Sequence, residues 1–384
     1  MNKCDALIVG AGPAGSVAGA ILARAGVRVG ILDRAAFPRD KLCGDTINPG
    51  ALAILRRLGL LADIERRSLR VGGMRVTGDG VAIDGRYPDG VYGYAILRRD
   101  LDVLLLDQAI AAGCEFHPGV HVHGAIVDEE AGRRTVRGVA LGERESAARL
   151  AAPVTIAADG RRSAIAFGLG LARHPDRPRR WAIGAYFEDF VALSEGWGEM
   201  HVRRGRYIGV AQVPGGLTNV CLVKPSGPGD GDLRDPEALL LRELARDPML
   251  RDRAATAKLV SRPVVLGPLA VDVKSESIPG LLLAGDAAGF IDPMTGDGLR
   301  FAIAGGELAA AAALRALEHG WNGVHADLAR ARQRLFGSKW RFNRGLRALV
   351  ASPRAIGAAA MAARVAPGVL RSVIARAGDC HATG

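Results

Sequence analysis

The apolar run Ala6-Leu-Ile-Val9, closed by Gly10, has the pattern of a short strand buried on both faces. From Ala14 to Ala25 apolar residues recur at helical spacing until Gly26, and a second apolar run, Val27 to Leu32, ends in Asp33. Strand, helix and strand in this order predict a parallel unit of the doubly wound kind. A helix from Ala51 follows, and then the pattern changes. Between Leu69 and Tyr94, valines and glycines alternate with the turn segments Gly78-Asp-Gly80 and Pro88-Asp-Gly90, as in short antiparallel strands. Helical spacing returns with Leu101, Leu104, Leu105 and Ala109. Val120 to Val139 and Val154 to Ala157 are expected as strands of the central sheet. Strands dominate again from Arg179 to Pro268, as Trp181 to Phe187, Gly198 to Val202, Tyr207 to Val213 and Leu217 to Val223, with one helix near Leu239 to Ala245. Leu281 to Ala284 is a buried strand, Leu299 to Leu317 an Ala-rich helix, and the remainder is helical.

The expected fold class is α/β with α+β character. Residues 1–68, 96–170 and 269–325 are assigned to a Rossmann-like nucleotide-binding domain with a mixed sheet. Residues 69–95 and 171–268 form an antiparallel β-sheet domain suited to a substrate, and 326–384 a basic helical region. Because the two domains interleave, no Pro/Ser-rich linker is needed, and none is present.

The loop Gly10-Ala-Gly12-Pro13-Ala14-Gly15 lies between the first strand and the first helix, where a dinucleotide fingerprint belongs. Gly10 permits the turn, Gly12 lets backbone N–H groups approach a pyrophosphate, and Gly15 lets helix pack on strand. The helix N-terminus attracts the phosphate charge. Asp33, eighteen residues after Gly15, is placed to accept hydrogen bonds from an adenosine ribose. Its charge would repel a 2′-phosphate, which only the adjacent Arg34 would favour.

At 384 residues, 49% hydrophobic and 24% charged, the chain has the composition of a water-soluble globular protein with a sizeable core. No apolar run reaches membrane-spanning length and no leader pattern opens the chain, so a cytoplasmic location is expected. Cys4, Cys43, Cys114, Cys221 and Cys380 show no paired spacing for zinc or a redox disulfide. The stretch Leu328–Gly378 holds eleven Arg or Lys residues and no Asp or Glu, which accounts for the net charge of +11. Within it, Arg332, Arg334, Lys339, Arg341, Arg344 and Arg347 interleave with Leu335, Phe336, Trp340, Phe342, Leu346 and Leu349. Such a helix suits peripheral contact with the inner face of an anionic membrane or guidance of an acidic, lipid-like substrate. The plainer reading is a solvated helix packed on its domain. Nucleic acid is not expected as a partner, since no aromatic platform or groove-entering module accompanies the charge.

Two further segments turn a nucleotide loop into a flavin site: Ala158-Asp159-Gly160-Arg-Arg-Ser163 and Gly285-Asp286-Ala-Ala-Gly289. Three spaced pieces point to FAD. Asp286, at the carboxyl end of its strand, is placed to accept hydrogen bonds from ribityl hydroxyls. Pro293-Met-Thr-Gly296-Asp297-Gly298 then opens the Ala-rich helix at Leu299. Gly296 and Gly298 would bring backbone N–H groups to the pyrimidine edge of the flavin, where the helix N-terminus favours the charge of the reduced ring. Asp297 has two readings, a helix cap or an acid/base group, of which the cap is preferred.

Together these segments resemble the FAD-dependent oxidoreductases of the aromatic-hydroxylase structural type, over most of the chain. Lys41-Leu-Cys43-Gly44-Asp-Thr-Ile-Asn-Pro49 and Gly296-Asp-Gly298-Leu-Arg300 resemble the geranylgeranyl reductase branch, which reduces isolated double bonds of prenyl chains and is related to flavin-dependent halogenases. The resemblance implies that Arg98, four residues before Asp102, contacts FAD, and that Cys43 and Gly44 lie near the flavin at the catalytic face. It departs in two places. Tyr207 and Pro214 of the branch's substrate-sheet motif are present, but Gly209 and Val210 stand where its Trp is expected. The paired Trp motif of halogenases is missing, because Trp181, Trp197, Trp321 and Trp340 are far apart.

Cys43, Tyr207 and His201 are the candidate catalytic side chains, with Trp181 and Tyr186 as further aromatic candidates on the sheet. No metal is expected, since His117, His121 and His123 have no suitably spaced carboxylate or thiol. The substrate is expected to be a bulky hydrophobic small molecule, isoprenoid or polyketide-like. Reduction of a carbon–carbon double bond is the leading reaction, with NAD(P)H or a reduced partner protein as electron source, since only one glycine loop of this kind is present. The rivals are NAD(P)H-dependent hydroxylation of an aromatic ring and a non-catalytic flavin sensor at a membrane surface.

Overall fold

A computed structural model describes residues 3–41, 44–78, 81–142, 148–177, 179–191, 196–225, 231–274, 277–351, 358, 361, 365 and 367–380. Five parallel strands form its centre in the order Leu281–Leu283, Val154–Ala157, Ala6–Val9, Val29–Asp33 and Glu115–Pro118. Ala6–Val9 and Val154–Ala157 are buried throughout, which explains why neither alternates between apolar and charged positions. On one face lie the helices Pro13–Arg24, Arg98–Ala111 and Gly298–His319. The first and last of these approach so closely that a Cβ on Gly306 would stand 2.3 Å from the carbonyl oxygen of Ala14.

The other face carries an antiparallel sheet of Val122–Glu130, Arg133–Leu141 and Ala148–Ala151. This corrects one expectation: Val120 to Val139 does not feed the central sheet, whose edge strand is Glu115–Pro118. Ala131 and Gly132, both at positive φ, reverse the chain into a hairpin, which pairs with itself and leaves the parallel sheet to its neighbours.

A second large sheet is built from Gly73–Gly78, Val81–Arg86, Arg180–Glu188, Trp197–Arg203, Arg206–Val213 and Leu217–Pro225, with short strands at its edge. Gly73–Gly78 pairs in parallel with Trp197–Arg203, so residues separated by a whole nucleotide-binding segment share one sheet. Its outer face packs through Ile183, Phe187, Ile208 and Leu222 on the helix Pro236–Arg246, which Asp235 caps by accepting the Ala238 N–H. The helices Val324–Ala351 and Pro367–Ala377 follow. Among the described residues no helix is long and apolar enough to cross a membrane.

Candidate cofactor site and substrate chamber

Gly10 sits at φ 101, and its N–H is bound by the Leu32 carbonyl at 2.7 Å. A Cβ there would lie 2.4 Å from the Ala158 carbonyl oxygen, and one on Gly15 would lie 1.9 Å from the Gly10 oxygen. These two glycines are demanded by the protein's own packing. Gly12 is different: its φ of −76° suits any residue, and a Cβ would meet only Arg39 Nη2, at 3.6 Å. Its space is cavity, not protein.

Asp33 Oδ2 accepts the Ala11 N–H at 2.8 Å and Oδ1 accepts the Ala35 N–H at 2.9 Å. The carboxylate thus already clamps the glycine loop, and its remaining lone pairs are the ones free for a ribose. Arg34 beside it is exposed. Arg98 binds Asp102 through Nε at 3.0 Å and Nη2 at 2.8 Å, both groups buried, and lines the cavity.

The three sequence segments meet around one cavity of about 790 Å³. Gly12, Pro13, Ala14, Ala158, Gly160, Gly285 and Asp286 line it, and a Cβ on Gly285, at φ 61, would touch Ala14. Asp159 lies just behind: Oδ2 accepts the Ala164 N–H at 2.9 Å, while among the described residues Oδ1 is buried without a hydrogen-bond partner. Burial pushes its pKa up. The glycine cradle open at Gly12, at the N-terminus of Pro13–Arg24, fits a dinucleotide. Asp286→Ala is accordingly expected to weaken FAD binding about tenfold or more, from the loss of a charged acceptor. Flavin fluorescence on titrating the apoprotein measures this, and an unchanged affinity removes the residue from the site.

Pro293, Gly296, Gly298 and Leu299 line the same cavity, with Gly296 left-handed at φ 67. Asp297 corrects the expectation of a cap. It occupies the N-cap position of Gly298–His319, but its side chain makes no cap hydrogen bond. The carboxylate instead turns inward, where Asn48 Nδ2 (3.1 Å), Thr295 Oγ1 (2.6 Å) and Asn343 Nδ2 (3.1 Å) donate to it; the nearby cation is Lys339, at 3.3 Å. The turn's cap is Asp292, whose Oδ1 accepts the Met294 N–H at 3.0 Å.

Cys43 lies outside the described residues. Its neighbours reveal what the sequence did not single out. Lys41 lines the cavity, its pKa lowered by burial and by Arg98. Asp45 is fully buried at φ 51, a conformation Asp tolerates better than most residues. It receives the Tyr186 hydroxyl at 2.6 Å, Asn219 Nδ2 at 2.7 Å and the Arg98 N–H at 3.1 Å. One carboxylate joins the cavity segment, the helix Arg98–Ala111 and the large sheet.

Burial raises the Asp45 pKa to about 6 against the lowering by those donors. The sign follows directly. The unfolded chain releases this proton near its ordinary value while the fold retains it, so stability falls by up to about 3 kcal/mol as pH rises through the window between the two values, then levels off. Urea midpoints from pH 4 to 7 should show this step in the wild type and not in Asp45→Asn.

Strand alternation sorts the remaining candidates. Cross-strand rows on the cavity face run Met74, Gly198, Ala211, Asn219, Tyr186; then Val76, Met200, Gly209, Cys221, Gly184; then Val202, Tyr207, Val223, Ala182. The result is an apolar floor of mostly small residues. Tyr207 is on it, its hydroxyl bonded at 2.6 Å to Asp292, so it supports the turn Pro293–Thr295; burial and that carboxylate raise its pKa well above the ordinary value. His201 is not. It pairs with Ile208 on the opposite face, fully buried, with Nδ1 2.8 Å from Thr77 Oγ1 and Nε2 2.9 Å from Glu199 Oε2. Arg253 completes this packing cluster with two 2.7 Å bonds to Glu199. Burial disfavours the Glu199 charge, but the His201 and Arg253 bonds outweigh it and bring the pKa to about 2. Trp181 also faces away from the floor, against Gly267.

A glycine-loop cradle, a second acidic turn and a helix N-terminus around one cavity that opens onto an apolar sheet define an FAD-dependent oxidoreductase. Residues 3–212 match the family model described as an FAD binding domain, and the chain belongs to that family, in its geranylgeranyl reductase-like branch. It is 31% identical over 326 residues to the menaquinone reductase of Mycolicibacterium smegmatis, covering 80% of this chain and 76% of that protein. It is 30% identical over 352 residues to the geranylgeranyl diphosphate reductase of Rhodobacter capsulatus, covering 86% and 79%. Among solved structures, the flavin-dependent halogenase CmlS superimposes with a TM-score of 0.77 at 26% identity, over 89% of this chain and 64% of its own.

Proposed function

We propose that this enzyme reduces a carbon–carbon double bond in an isoprenoid-bearing hydrophobic substrate, such as a prenylated quinone. The observation that carries the reading is the single cavity: the cofactor cradle and the apolar floor share it without a dividing wall. The menaquinone and geranylgeranyl diphosphate reductases among its relatives support the same substrate class.

FAD, when bound, supplies the hydride; the chain's own residues do the rest. Gly12 and the N-terminus of Pro13–Arg24 receive the pyrophosphate, Asp286 the ribityl hydroxyls, and Gly296 and Gly298 present backbone to the ring. Met200, Gly209, Cys221 and Val223 hold an apolar chain and exclude water. The accompanying proton comes from Cys43 or a water molecule. NAD(P)H or a reduced partner protein supplies the electrons.

Turnover of a prenylated quinone with NAD(P)H or dithionite, run under argon and then in air, tests the reading. A product formed under argon that stays heavier by two hydrogens after its quinone ring has been reoxidised in air supports it. Turnover that needs oxygen and yields a hydroxylated product overturns it.

A further inference from the structure

The C-terminal helices bear on the cavity in a way that basic composition alone does not explain. Lys339 is only 3% exposed, although it lies in the most basic stretch of the chain. Its Nζ donates to the Arg376 carbonyl at 2.5 Å and the Ala377 carbonyl at 2.8 Å, the last turn of Pro367–Ala377. The same ammonium lies 3.3 Å from Asp297 Oδ1 and 3.6 Å from Asp379 Oδ1, and Asp379 in turn pairs with Arg300 at 2.5 Å. Two cations and two carboxylates therefore form a largely buried, neutral quartet.

One end of the quartet is the turn Gly296-Asp297-Gly298, whose glycines line the cofactor side of the cavity. The other is the segment of Ile374, Ala377 and Gly378, which lines the chamber where Ile374 packs on Ile83, Met74 and Val76 at the edge of the sheet. That segment is closely fitted. A Cβ on Gly85 would come within 2.5 Å of Ile374, one on Gly378 within 2.7 Å of Tyr87, and one on Gly50 within 2.7 Å of the Asp379 Cβ.

We propose that Lys339 is a positioning residue with two effects: it balances the buried carboxylates beneath the flavin-facing turn, and it fastens the C-terminal helix as the roof of the substrate chamber. Without its cation the quartet carries a net negative charge next to the place where a reduced flavin gathers electron density. Reduction then becomes harder. Without its bonds to the two carbonyls the roof loosens. The second effect rests on the chamber reading above; the first requires only bound FAD.

The test is the FAD-loaded full chain carrying Lys339→Met, alone and with Asp297→Asn. The single variant should lower the two-electron midpoint potential by about 30 mV or more, a tenfold change in the ratio of oxidised to reduced affinity. It should also raise KM for a prenylated quinone about fivefold or more. The double variant restores neutrality, so the potential should return toward the wild-type value while KM stays high. An unmoved potential in Lys339→Met, or one that Asp297→Asn fails to restore, overturns the charge balance. A KM that stays at the wild-type value overturns the roof, and leaves the flavin site intact. Should Lys339→Met not fold, Asp379→Asn keeps the lysine and leaves the quartet net positive, so its potential should rise; a fall or no change overturns the proposal.

Discussion

Replacing Gly12 with valine is expected to give a folded chain that retains essentially no FAD. The backbone at Gly12 lies at φ −76 and ψ −177, which valine adopts readily, and the nearest atom to a new Cβ is the end of the flexible Arg39 side chain. The isopropyl group would occupy the space that the glycine leaves open at the N-terminus of Pro13–Arg24. A loss of at least about 3 kcal/mol in cofactor binding, more than a hundredfold, follows from blocking the pyrophosphate's approach to those N–H groups. Circular dichroism and a thermal melt of the apoprotein should match the wild type, while FAD titration shows no saturation. Gly15→Ala is the informative contrast. Its Cβ would overlap the Gly10 carbonyl at 1.9 Å, so the apoprotein itself should be destabilised by about 4 kcal/mol or more. If Gly12→Val binds FAD normally, the cradle has been placed wrongly.

The second large effect is expected at Gly209→Arg, which should abolish turnover of a bulky prenylated substrate while FAD stays bound. Gly209 is the centre of the middle cross-strand row, between Met200 and Cys221. A Cβ there has only ordinary contacts, at 3.9 Å and beyond, so the long charged side chain would extend into the apolar chamber rather than into the sheet. Filling the chamber should lower kcat/KM by about a hundredfold, since a substrate that cannot enter loses its apolar burial. Full activity in this variant, with normal FAD content, would mean that the substrate lies elsewhere.

The local parts of this site were legible in the sequence because local sequence builds them. The run Ala6 to Val9, the loop Gly10 to Gly15 and the acid Asp33 are close in the chain and in space, and each residue has a steric or electrostatic reason to be what it is. The same holds for Gly285-Asp286 and the glycines of the next helix. Asp45 was harder to find. Its partner Asn219 is 174 residues away, and nothing near Asp45 announces that three donors will converge on it. Lys339 was hidden by its own context, one cation among many in a helix whose outward face is solvated. His201 was misplaced for a different reason. Alternation tells which residues share a face, but not which face meets the cavity, and the lining of the cavity by Met200, Gly209 and Cys221 settles that. The hairpin after Glu115–Pro118 failed similarly, since strand character does not name the sheet.

Absorption spectroscopy of the purified protein, titrated with a prenylated quinone, tests most directly whether one cavity holds flavin and substrate together. The expected result is a yellow protein with about one FAD per chain, whose long-wavelength flavin band shifts saturably as the ligand fills the adjoining chamber. A chain that takes up no FAD, or a bound flavin whose spectrum stays fixed at saturating ligand, would contradict it.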